Sequence, residues 1–345
     1  RIKEVLGMHY RMPWPNRELE SARPFRRSPL YEPLRAAGAC FGSKMGWERP
    51  NFFAPTPAEA KLEYGWGHQN WHAWSAAEHR ACRERVALFD MSSFAKLLLT
   101  GPDARTLLDG LIANDMPGPG RTCYTALLNE RGGYDSDFTV THVEDDAYLI
   151  VTGSGQAVRD ADLVARAIAA RPGARCDVAD VTSQWAMLAV MGPHARTLLQ
   201  RVSTTDLSPA GFPFGASRDI DVGYATVRAT RLTYVGELGW ELYVPVEFAA
   251  GVYEALMHAG DDLGIANAGY YAIDSLRLES GYRAWGRELG PDIDPYEAGL
   301  AFAVSFDKRA GFRGRAALHA KRAAGGARAA RRRIVSLVVD APHTN

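Results

Sequence analysis

Apolar residues recur along the chain with two periods, and the switches between them mark out its elements. The clearest alternation is GWELYVP, in which Trp240, Leu242 and Val244 interleave with Glu241 and Tyr243. Successive strand side chains point to opposite faces, so the first three belong to a core and Glu241 faces away from it. The longer stretch YVGELGWELYVP, Tyr234 to Pro245, reads as two short strands around a tight glycine turn. A glutamate on a strand is ordinarily solvated. With Tyr234 and Tyr243 close by in sequence, the polar floor of a pocket is the alternative.

The rest of the chain alternates helix and strand patterns. A helix through SAAEHRACRERV is expected to end near Val86, followed by the strand AKLLLTG and a helix over PDARTLLDGLIAND that opens on Pro-Asp. TCYTALLNERGGYDSDFTVTHV reads as a hairpin turning at Gly132–Gly133, followed by the strand AYLIVTG and the amphipathic helix QAVRDADLVARAIAA. Further helices are expected in EFAAGVYEALMHAG and GYYAIDSLRLESGY. One pattern occurs twice, about 90 residues apart: LLLTGPDARTLLDGL, Leu97–Leu111, is echoed by LAVMGPHARTLLQRV, Leu188–Val202. Two copies at that distance point to paired α+β halves with a cleft between or through them, not to a solenoid.

The ends differ in texture. Residues 1–56 are rich in Pro, Arg and aromatics. They predict a connector or wrapping arm with one short helix around Leu30–Ala37 and otherwise too many prolines for regular structure. Near the other end, RAALHAKRAAGGARAARRR reads as a basic helix and solvated linker, and IVSLVVD as a lone strand, the expected first strand of a further β-rich module.

Composition narrows the function. Of 345 residues, 47% are hydrophobic, enough for a substantial core, and 40 basic residues balance 40 acidic ones. There is no global electrostatic case for nucleic acid or an anionic membrane, and no apolar run approaches the roughly 20 residues that span a bilayer. The chain starts RIKEVLGMHYRMPWP, with neither an initiator Met nor a signal-peptide layout, as expected for a chain that is processed or cut from something longer. Cys40, Cys82, Cys123 and Cys176 form no C-x-x-C pair, which argues for reduced, buried thiols in a cytoplasm-like compartment.

Three groups of residues could carry chemistry. HQNWH, His68–His72, has metal-like spacing but places Gln69 where H-E-x-x-H has Glu; packed or hydrogen-bonded histidines are the default, and no metal site is expected. In GGYDSDFTVTHV, the poor strand formers Asp135 and Asp137 sit within a strand pattern. Phe138 and Val140 face one way and Asp137, Thr139 and Thr141 the other, so this polar face is either a wet hairpin face, half of a D-x-D metal site, or the lining of a cavity with Asp137 as base or electrostatic stabiliser. Arg277, in DSLRLES, lies on a helix and is either a surface arginine paired with Asp274 or Glu279, or a cavity residue for a carboxylate or carbonyl.

Taken in order, FDMSSFAK, LTGPDARTLLDGLIANDM, YTALLNERGGYDSDFTVT, YVGELGWELYVP and DSLRLESGYRAWG…DIDPYEAGLAF resemble the aminomethyltransferase (glycine-cleavage T-protein) superfamily. The resemblance is closest to the folate-binding part of dimethylglycine and sarcosine dehydrogenases and oxidases. Ser93 stands where the T-protein pattern has His, and GGYDSD departs from a double Asp; both favour the dehydrogenase branch. The resemblance implies an α+β fold of two pseudo-symmetric lobes around a folate hole. It divides the chain into a connector (1–56) that would follow an absent FAD domain, a folate domain (57–320), and a linker with the first strand of an incomplete C-terminal barrel (321–345). It implies tetrahydrofolate as cofactor, with FAD in the full-length enzyme only, because no G-x-G-x-x-G signature is present here. Asp137 matches the catalytic aspartate, and Phe138, Thr139, Tyr234, Glu241, Leu242, Tyr243 and Arg277 match folate-pocket positions.

The implied activity is capture of an iminium methylene, derived from a small N-methylated amine, as 5,10-methylenetetrahydrofolate. The FAD domain would be in cis or a partner subunit, and the location cytoplasmic, or the mitochondrial matrix in a eukaryote. A stand-alone folate-dependent aminomethyltransferase or demethylase, and a non-catalytic folate-binding regulator, are the alternatives. The regulator's K-G-C-x-x-G-Q-E motif does not occur here.

Overall fold

The computed structural model describes residues 1–12, 14–328, 330 and 332–339. The arm is more regular than its prolines suggest. After α1 (Ile2–Met8) and the expected short helix, α2 (Tyr31–Ala36), it forms a hairpin of β1 (Ala39–Lys44) and β2 (Trp47–Phe53). Pro50 is tolerated because this sheet has only two strands and the register slips at Cys40/Phe41, so the ladder needs no donor at that position. Helix α3 (His72–Glu84) stops two residues before the expected Val86, which instead opens β3 (Val86–Asp90). The buried Glu78 on α3 fastens the arm: its carboxylate accepts from the amides of Phe53 (2.5 Å) and Gly269 (2.9 Å).

The two copies of the Gly-Pro motif open two units of one design. In the first, β4 (Ala95–Thr100) leads into α4 (Ala104–Asp109), then the meander β5 (Thr122–Leu128), β6 (Tyr134–Glu144) and β7 (Ala147–Thr152), then α5 (Ala157–Ala169) and β8 (Asp177–Asp180). In the second, β9 (Trp185–Met191) leads into α6 (Ala195–Val202), then the meander β10 (Ser217–Val222), β11 (Ala225–Thr230) and β12 (Gly239–Pro245). In each, the last meander strand returns antiparallel beside the first strand, giving sheet orders β5-β6-β7-β4-β8 and β10-β11-β12-β9-β3, the second closed by the short parallel strand β13 (Ile265–Asn267). The elbows match in detail. Gly101 and Gly192 have φ of +119° and +132°, and a Cβ on either would stand 2.3 Å from the Arg175 carbonyl oxygen or 2.5 Å from that of Arg85. Only glycine fits such a backbone approach.

Three apolar layers result. Trp240, Leu242 and Val244 pack with α6 and α7 (Ala249–Ala259) on the outer side of the second sheet. Phe138, Val140, Leu97 and Leu99 pack with α4 and α5 on the outer side of the first. Between the sheets, Leu149 and Val151 of β7 meet Met187, Ala189 and Met191 of β9, Tyr243 of β12, and Ile273 and Leu276 of α8 (Tyr270–Glu279).

Other expectations are corrected. YVGELGWELYVP contains one strand, not two: residues 231–238 form an irregular loop in which the Thr233 hydroxyl accepts the amides of Val235 and Gly236. Helix α4 ends at Asp109 instead of running on to Asp115, because Gly110 follows. After α9 (Pro295–Ala298), the basic segment is not a solvated linker. Its helix α10 (Arg315–Ala323) buries Leu318 and joins Lys321 to Asp294 at 2.6 Å. Residues 332–339 form no strand, since no neighbouring strand among the described residues offers a ladder; they are held by Arg332 to Glu297 and by the Ile334 amide to the Glu297 carbonyl. The last residue of the expected strand, Asp340, lies outside the described residues.

Candidate functional site

Strand β6 carries Asp137 at the layer between the sheets. Thr139 is the cross-strand partner of Val151, which lies in that layer, so Asp137, two residues away, shares its face. Asp137 is half-buried; its Oδ2 accepts the Tyr124 hydroxyl at 3.0 Å, and the Gln156 side chain also donates to it. These bonds favour the anion, but loss of hydration outweighs them and raises the carboxyl from 3.8 to about 6. The neighbouring Asp135 is clamped between Arg159 (2.8 Å) and Arg313 (2.5 Å).

From the other sheet, β12 presents Glu241 and Tyr243 to the same layer, paired across the ladder with Ala189 and Met187. Glu241 is buried, with 8% of its surface exposed. Its Oε2 accepts the Tyr243 hydroxyl at 2.8 Å, and Oε1 has no protein donor among the described residues. Burial, opposed only by that one bond, raises its carboxyl from 4.5 to about 7. A carboxylate held inside with half its acceptor capacity unused is set up for a ligand that brings donors.

The remaining sequence candidates divide. Tyr234, in the loop before β12, packs against the central layer, stacks on Tyr282 at 5.8 Å, and donates to the Arg283 carbonyl; it lies within electrostatic reach of Asp137 and Arg277. Thr139 faces the layer. Phe138 and Leu242 turn their side chains into the two outer cores, leaving only backbone toward it. Arg277 is not a surface residue: 1% exposed, it pairs with Asp274 and Glu288, each at 2.8 Å, while Glu279 pairs with Arg83 instead. Its charge is thus already balanced. Tyr124 and Gln156 were not singled out in the sequence. Tyr124 faces Thr139 across the hairpin, but a bulge at Leu127/Leu128 shifts the register, so counting from Gly132–Gly133 misplaces it. The rings of His68 and His72 have centroids 4.3 Å apart and are tilted by 50° to each other, and no cluster of three metal-type ligands occurs among the described residues. The four thiols are free; Cys40 and Cys82 are buried as expected, whereas Cys123 and Cys176 are half-buried. No described helix is long and apolar enough to cross a membrane.

Residues 30–308 match the profile of the GCVT N-terminal domain. The chain belongs to the GCVT (T-protein) family. Folate-dependent one-carbon transfer is the chemistry of that family. Among curated GCVT relatives, the chain is 40% identical over 92% of its length to 4-methylaminobutanoate oxidase (formaldehyde-forming) of Paenarthrobacter nicotinovorans, and 36% identical over 99% to human mitochondrial sarcosine dehydrogenase. It spans only 38% and 41% of those two proteins. Among solved GCVT structures, the glycine cleavage system aminomethyltransferase T of Bartonella henselae superposes with a TM-score of 0.71, at 27% identity, over 87% of this chain and 75% of that one. The two strand–helix–meander units are thus the α+β architecture of this family.

Proposed function

We propose that this chain is the tetrahydrofolate-binding, one-carbon-accepting module of an enzyme that oxidises small N-methylated amines. One observation carries the reading: two carboxylates on different sheets, Asp137 and Glu241, face one central layer, and Glu241 has an unused acceptor oxygen. A pterin offers adjacent N–H donors that a single carboxylate can take in a paired, charge-assisted arrangement. Glu241 fits that role, with Tyr243 fixing its orientation. Tyr234 and Tyr243 supply aromatic surface beside it.

Asp137 handles protons. Joining an iminium R₂N⁺=CH₂ to N5 and N10 of tetrahydrofolate forms two C–N bonds and breaks the bond to the departing amine. The hydrogens of N5 and N10 end on that amine, which leaves as R₂NH₂⁺. A carboxylate titrating near 6 can accept the first proton and pass it on without being trapped in either state. Oxidation of the amine would fall to a flavin domain, in cis or as a partner, which supplies the hydride acceptor.

The test joins the chain to such an amine-oxidising flavin domain and follows flavin bleaching and methylenetetrahydrofolate yield in one sample. Asp137→Asn should leave bleaching nearly intact, cut folate transfer by about 10²–10⁴-fold, and let formaldehyde accumulate. Equal loss of both signals would make Asp137 structural. A stand-alone aminomethyltransferase is the second reading, supported by the superposition on the Bartonella henselae protein at a TM-score of 0.71 and 27% identity.

A further inference from the structure

Where the arm meets the central layer, two basic side chains come together without an ion-pair partner among the described residues. Gly42 pairs with Arg49 and Lys44 with Trp47, so Arg49 and Lys44 leave the hairpin on one face. The Arg49 guanidinium lies 3.8 Å over the ring of Tyr270, the first residue of α8, and its buried Nε has no hydrogen-bond partner. Arg49 and Lys44 make no ion pair among the described residues. The acids nearby form no ion pair with either cation: Asp90 accepts from the Ser28 hydroxyl and the Ser92 amide, and Glu18 from the Ser43 amide and the Asn51 side chain.

Hydroxyls connect this charge to the candidate catalytic strand. The Tyr270 hydroxyl lies 3.4 Å from Ser93 Oγ, which in turn accepts the buried Ser154 hydroxyl at 2.9 Å. Ser154 follows Gly153, and Gly153 comes level with Asp137 one step beyond the Phe138–Thr152 pair. Lys44 closes the same loop from above: its Nζ lies 3.9 Å from where a Cβ on Gly155 would stand. A planar guanidinium held over a ring, with an orphaned N–H and flanking hydroxyls, is the arrangement that receives a carboxylate.

We propose that Arg49, with the Tyr270, Ser93 and Ser154 hydroxyls and Lys44 at the rim, forms a carboxylate-binding subsite next to Asp137. Assigning its guest rests on the one-carbon reading above. The carboxylate is either that of the amino-acid amine or that of the folate glutamyl tail, and the chemistry of recognition is the same for both.

Calorimetric titration of the whole chain separates the sources with two ligand pairs: sarcosine against sarcosinamide, and tetrahydrofolate against 6-methyltetrahydropterin, which has no carboxylate. Wild-type protein should prefer the carboxylate member of at least one pair. Arg49→Met should weaken that member by about 10- to 100-fold, the range for a lost charged hydrogen bond, and leave its carboxylate-free counterpart unchanged. Arg49→Lys, which keeps the charge but not the flat fork, should lose part of this, and Ser154→Ala a smaller part. A loss confined to sarcosine names the amine as the source, and a loss confined to tetrahydrofolate names the tail. No carboxylate preference in either pair overturns the proposal, as does unchanged affinity in an Arg49 variant that melts like wild type. If Arg49→Met does not fold, the wild-type preference and Ser154→Ala decide by the same criteria. Failure of 6-methyltetrahydropterin to bind wild type would count against the pterin role of Glu241, and the sarcosine pair would still test the subsite.

Discussion

Glu241→Gln should act on stability and on binding in opposite directions. The buried carboxyl is raised from 4.5 to about 7 because water is excluded and one phenol replaces it. That displacement corresponds to about 3 kcal/mol of cost for holding the charge in the folded chain. The sign follows from proton binding. Between pH 4.5 and 7 the folded protein keeps a proton here that the unfolded chain has released, so this group erodes stability as pH rises through that window. The cost is fully present above about pH 7 and absent below 4.5. A neutral amide avoids it and can still accept the Tyr243 hydroxyl through its oxygen. The ligand-free variant should therefore gain about 1–3 kcal/mol over wild type at pH 8 and little at pH 4.5.

Binding should move the other way. Glutamine cannot take two pterin donors as an anion, so affinity for tetrahydrofolate should fall by about 1–3 kcal/mol. In wild type, affinity should weaken as pH drops below about 7, where Glu241 must first lose its proton to bind; in the variant that slope should disappear. Urea denaturation at the two pH values, with calorimetric titration of tetrahydrofolate across pH 6–8, measures all three effects. A folded variant with unchanged affinity would return Glu241 to a structural role. Stabilisation of equal size at both pH values would show that the gain does not come from the charge.

Two further outcomes follow from the site and the elbows. Tyr124→Phe removes a donor to the Asp137 anion, so the acid limb of one-carbon transfer, expected near pH 6, should move to higher pH with the alkaline side unaffected; a pH–rate profile with an unmoved limb would remove Tyr124 from the mechanism. Gly192→Ala should cost at least about 1–3 kcal/mol from the positive φ alone, before its Cβ meets the Arg85 carbonyl, and Gly101→Ala should behave alike; melting curves test whether the two elbows are equivalent.

The recurrence of LLLTGPDARTLLDGL as LAVMGPHARTLLQRV determined in advance that the fold has two related units, because a strand, a glycine elbow and a helix are local structures written in local sequence. The alternation around Glu241 likewise assigned Trp240, Leu242 and Val244 to a core, since period two is a property of the strand itself. What lies on the other side of a strand is not local. Whether Glu241 and Asp137 meet water or protein depended on two sheets closing over one layer, and that closure is made by residues scattered from Cys82 to Leu276. Arg277 illustrates the same limit: its partner Asp274 is one turn away and was legible, but Glu288 and its burial come from a later loop folding back. The bulge that sets Tyr124 against Asp137 is a one-residue slip in a ladder, and it leaves no mark on the alternation that sequence reading uses. In the arm, prolines argued against strands, yet the hairpin forms because it packs on α8 and because α3 holds its end through Glu78. Local sequence specified the pieces, and the tertiary structure decided which charges are buried, because hydration is lost only when distant segments come together.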